Sequence, residues 1–134
     1  MIRALIAVVA VGTVAVVAAP ASVPSSLVGT WTRNVTAADW TKANSGGFPT
    51  GTWKLVVTNK GWADVYVPGG TSPDFSPPFM TSGAKLTIGA VPVCPGTKGR
   101  YRWSLAGRVL HITLIADASC GPRRGLFVGA WKRK

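Results

Sequence analysis

The sequence predicts an all-β chain: a small antiparallel up-and-down β-barrel of about eight strands, preceded by an N-terminal hydrophobic signal helix. Three observations carry that expectation. Beyond residue 21, apolar residues alternate with polar ones in short bursts and show no helical period. Each burst is joined to the next by a link rich in glycine, proline, asparagine or serine. Near the two ends stand the words LVGTWTR (27–33) and FVGAWKR (127–133), identical at four of seven positions. An up-and-down sheet has two open edges, its first and last strands, and pairing them removes both. The two words are therefore expected side by side, their glycines allowing close approach and their tryptophans plugging one end of the barrel. A shorter echo, TGTWK, occupies 50–54.

Taken in order, Gly29–Val35 is the first strand. One helical turn around Ala37–Lys42, capped by threonine, follows it. Residues 50–58 and 62–67 form a hairpin about the tight Asn59-Lys60-Gly61 turn. PGGTSPDFSPPF (68–79) is a loop whose four prolines cannot donate to a ladder. Short strands are expected near Phe79–Ser82 and over 85–90. Gly99–Ala106 and 108–116 make the clearest hairpin, and a strand over 125–133 ends the count.

The opening residues are a different material. Arg3 precedes an unbroken run of apolar and small residues from 4 to 19, with small residues at Ala19, Pro20 and Ala21. That order reads as an export signal cleaved near Ala21, the rival reading being a retained anchor. The division is thus 1–21 for the signal and 22–134 for one barrel domain, placed in the secreted fraction or the cell envelope. Export puts Cys94 and Cys120 in an oxidising compartment, where one disulfide is expected.

Fifteen lysines and arginines face four aspartates and no glutamate, a formal charge of +11. Weak attraction to anionic membranes or wall polymers follows, without a specific nucleic-acid partner. Arg100, Arg102, Lys54, Lys98 and the Lys132-Arg133-Lys134 end are the outward cations of that surface. An enzyme is not expected. His111 is the sole histidine, and Asp117 lies roughly 20 Å along the same extended run. There is no nucleophile elbow, no phosphate-binding glycine loop and no metal cluster. No cofactor is expected.

Strand alternation sends Trp53, Leu55, Tyr101, Trp103 and Ile112 inward. These residues either line a cavity for a small apolar ligand, oriented by the hydroxyl of Tyr101 or Tyr66, or simply fill a narrow barrel. The rim loop 68–78 offers a different role, an interaction module resembling exported protease-inhibitor barrels.

The Gly-x-Trp of the first strand, Gly29-Thr30-Trp31, with a late arginine, resembles the calycin superfamily, which includes the lipocalins. The run GRYRWSLAGRVLHITLIADASCGPRRGLFVGAW (99–131) is similar to the closing part of small exported bacterial lipocalin-like domains of unassigned role. The resemblance implies a structural set of Gly29, Trp31, Gly129 and Trp131 and an arginine stacked on Trp31. That arginine would be Arg123 or Arg124, with Arg133 the weaker match. It also implies a monomeric, non-catalytic binder or carrier of a small apolar molecule. The chain departs from the pattern in lacking the middle Thr-Asp-Tyr type motif and a long C-terminal helix.

Overall fold

A computed structural model describes residues 10–12 and 23–134. The expected signal helix and its cleavage point lie outside the described residues. Among the described residues no helix is long and apolar enough to cross a membrane.

Among the described residues eight antiparallel strands and two short helices follow one another: β1 (Gly29–Val35), α1 (Ala37–Lys42), β2 (Gly51–Val57), β3 (Ala63–Tyr66), β4 (Phe79–Ser82), β5 (Lys85–Ile88), β6 (Gly99–Ala106), β7 (Val109–Ala116), α2 (Gly121–Phe127) and β8 (Gly129–Arg133). Across the sheet the order is β3-β2-β1-β8-β7-β6-β5-β4. The first and last strands are thus neighbours, with Trp31 opposite Arg133 and Thr32 opposite Lys132.

The remaining edges, β3 and β4, meet in a looser seam of isolated bridges, Trp62 to Pro78 and Val65 to Phe75. Prolines set its character. The amides of Ala63 and Val65 donate to the carbonyls of Pro77 and Phe75, and those of Asp74 and Phe79 donate back to Val65 and Gly61, but Pro77 and Pro78 between them have no N–H to give. The result is a nearly closed barrel.

The repeated words have a physical explanation. Gly29 and Gly129 take φ of +140° and +145°, a region nearly closed to residues with a Cβ. Each bend turns the preceding carbonyls toward the tryptophan that follows. The Trp31 indole donates to the Leu27 carbonyl at 2.9 Å, and that of Trp131 to the Phe127 carbonyl at 3.0 Å. The echo repeats the arrangement: Gly51 has φ +123° and Trp53 donates to the Pro49 carbonyl at 3.1 Å. In all three words the indole finds its acceptor four residues back, so a large apolar ring is buried with its one polar atom satisfied.

The two end words also interlock. Arg133 lies over Gly29, donating to the carbonyls of Val28 and Ser26, with its guanidinium 4.2 Å from the Trp31 ring centre. Arg33 lies over Gly129 and donates to the carbonyls of Gly125 and Leu126. Each word's arginine covers the other word's glycine, in a local two-fold relation between strands 100 residues apart. The arginine on Trp31 is therefore Arg133; Arg123 and Arg124 lie elsewhere.

Helix α1 is closed by a reciprocal cap between Thr36 and Asp39. Helix α2 replaces the first half of the strand expected over 125–133. Pro122 stands in its first turn, where a missing N–H costs nothing. Its glycines let it press against α1: a Cβ on Gly125 would stand 2.8 Å from the Trp40 ring. Cys94 and Cys120 are disulfide-bonded, their Cα atoms 5.9 Å apart, joining the 89–98 loop to the start of α2.

Candidate functional site

The middle of the barrel is filled by its own side chains. Leu55, Tyr101 and Ile112 are buried there with Trp31, Leu110 and Trp131. Open volume lies instead at the end where β2 begins. There a cavity of about 330 Å³ is walled by Trp53 of β2, Trp40 of α1, and Phe48 and Pro49 between them. Phe75 and Asp74 of the proline-rich segment, with Val67, form one side, and α2 contributes Leu126 and Phe127. Val91, Pro92 and Val93 of the disulfide-tied loop complete it.

Of the residues expected to line a cavity, only Trp53 does so. Trp103 is half-buried and donates its indole N–H to the Gly83 carbonyl at 2.9 Å. Tyr66 faces away from the barrel interior, since its neighbours Ala63 and Val65 are the buried ones. The Lys54 ammonium sits 3.9 Å over its ring. The Tyr101 hydroxyl is committed elsewhere, donating to Asp117. Neither tyrosine presents a hydroxyl to the cavity.

The aromatic wall is pinned by its own hydrogen bonds. The indoles of Trp40 and Trp53 both donate to the Pro49 carbonyl, each at 3.1 Å. Their rings stand nearly at right angles, 69° apart with centres at 6.0 Å. Phe48 leans on Trp40 at 5.1 Å. One carbonyl thus fixes two indoles, and the fixed rings form a corner.

Behind the cavity lies a buried polar cluster centred on Arg123. Its Nε and Nη2 each donate to the Asp117 carboxylate at 2.7 Å, and Nη1 donates to the carbonyls of Gly89 and Thr97. Hydrogen bonding to Asp117 holds the Arg123 guanidinium above the ordinary arginine range. Burial, reinforced by the bond to Asp117, pushes the Tyr101 hydroxyl well above the usual tyrosine range. Gly99 makes room, since a Cβ there would collide with the Asp117 carboxylate. Arg123 binds the loop over the cavity to α2 rather than stacking on Trp31. Among the described residues every buried side-chain nitrogen and oxygen has a partner.

On the outer surface Arg100, Arg102, Lys98, Lys132 and Lys134 are exposed as expected. Lys54 and Arg133 are not among them: Lys54 is half-buried over the Tyr66 ring and Arg133 is folded over Gly29. Among the described residues no group of three histidine, cysteine, aspartate or glutamate side chains could hold a metal ion.

No family model, no curated protein and no solved structure matches this chain.

Proposed function

We propose that the protein is an exported, non-catalytic, calycin-like barrel that binds a small apolar molecule in the cavity at its end. The observation that carries this reading is the cavity itself. About 330 Å³ falls within the range of small-molecule sites, and its wall is dominated by aromatic and aliphatic side chains. The eight-stranded order, with first and last strands paired, is compatible with a calycin-like barrel. Burying a compact apolar ligand there removes its surface from water at about 25 cal/mol per Å², less the cost of association.

The test is titration of the full chain with the neutral fluorophore N-phenyl-1-naphthylamine. Probe emission should rise and tryptophan emission should fall together, with saturation at one site. An unsaturable or absent response removes the proposal.

A second, weaker role is supported by one feature of the outer face. Lys85 stands directly opposite Arg102 across the β5–β6 ladder, and strands β4 to β8 carry no acidic residue. Like charges facing across a sheet repel, and an anionic membrane or wall polymer would relieve them. Sedimentation with anionic vesicles, lost as salt is raised, checks this docking.

A further inference from the structure

We infer that the ligand of the cavity is an organic cation, an amine or quaternary ammonium with an apolar body. The inference rests on the binding reading above and narrows it. It starts from charge. The protein as a whole is strongly basic, yet the cavity is not.

Among the described residues Arg123 is the one cationic side chain lining it, and two hydrogen bonds to Asp117 neutralise that charge, both partners being fully buried. The other charged residue on the wall is Asp74, whose backbone amide is fixed to the Val65 carbonyl at 2.7 Å. Asp74 itself is exposed at the rim, and among the described residues no salt bridge engages its carboxylate. The site therefore carries one net negative charge beside its apolar wall.

The second observation is the wall. Trp40, Phe48, Trp53, Phe75 and Phe127 supply five aromatic rings to one cavity. The negative faces of aromatic rings attract cations, tryptophan most strongly, and several rings around one site form an aromatic cage for ammonium groups. The shared Pro49 acceptor fixes two of these rings in place. A soft ammonium, its charge spread over methyl groups, loses less hydration on entering such a cage than a lysine-like ammonium would. An anion would meet the negative ring faces and Asp74, and a neutral molecule would gain apolar contact with the rings but no charge attraction from either.

The test uses two probes of one shape: benzyltrimethylammonium and its neutral carbon isostere, neopentylbenzene. Each is measured by displacement of N-phenyl-1-naphthylamine from the full chain. In a purely apolar site the neutral compound wins, because the cation must leave water. Here the cation is expected to bind about tenfold more tightly, and Asp74→Asn should reduce its affinity several-fold while leaving the neutral compound within twofold. Asp74 is exposed, so an unchanged urea midpoint will show that the variant is folded. Equal or tighter binding of neopentylbenzene, displacement by neither compound, or a cation preference untouched by D74N overturns the inference. In each of those cases the naphthylamine still binds and the apolar-ligand reading survives. Failure of the naphthylamine itself to bind removes both.

Discussion

Arg33 closes over Gly129: a Cβ built on that glycine would stand 2.5 Å from the arginine's Nε. The glycine also holds φ +145°, so an alanine there is strained as well as crowded. Gly129→Ala should lower the unfolding free energy by about 2–3 kcal/mol, read from urea denaturation. Gly46→Ala is the control. It has ordinary φ and nothing within 4 Å of its added methyl, and should leave stability unchanged or slightly raised.

Removing the charge that answers Arg123 should be costly. Asp117→Asn leaves a buried guanidinium without its carboxylate, and breaking such a pair costs about 3–5 kcal/mol. The loss should appear as a lower urea midpoint and as faster amide exchange in the 89–98 loop, which Arg123 holds through Gly89 and Thr97.

Tyr101 predicts how stability responds to alkali. Its folded pKa lies above its unfolded value of about 10, so the folded state keeps a proton that the unfolded chain releases. The contribution is complete below pH 10 and is lost as pH rises beyond it. Tyr101→Phe should therefore flatten the alkaline fall in stability. It should also cost about 1.5–3 kcal/mol at neutral pH through the lost bond to the Asp117 carboxylate.

Reducing Cys94–Cys120 frees a 26-residue separation and should cost about 3–4 kcal/mol, mainly through the unfolded chain. Because the bond tethers the loop that supplies Val91, Pro92 and Val93 to the cavity, reduction should also speed probe dissociation. Stopped-flow release of N-phenyl-1-naphthylamine, with and without reductant, measures this.

Val93 lines the cavity yet is 56% exposed, so a larger side chain there can block the site without entering the core. Val93→Trp should abolish probe binding and shift stability by no more than about 0.5 kcal/mol. Retained binding would place the probe elsewhere.

The strands and the pairing of the end words were legible because both rest on local patterns: period-two alternation, turn residues, and a glycine two places before a buried tryptophan. Helix α2 was not, since seven residues with two glycines show no helical period, and those glycines serve packing against Trp40 and Ala43. The Asp117–Arg123 pair is hidden in the sequence for a related reason. Asp117 invites comparison with His111 along the extended strand, whereas its partner lies six residues on, across a turn and into a helix. Trp53 was correctly sent inward, but the rest of the cavity comes from α1, α2 and three loops. No spacing along the chain announces that assembly.

Pro77 and Pro78 cannot donate, so the joint between β3 and β4 is held by isolated bridges where its neighbours are continuous ladders. Asp74 and Phe75 belong to that joint and to the chamber alike, so the least continuous pairing in the sheet also forms one wall of the chamber. For any guest the chamber takes, that joint would be the part of the wall to yield with every continuous ladder left intact.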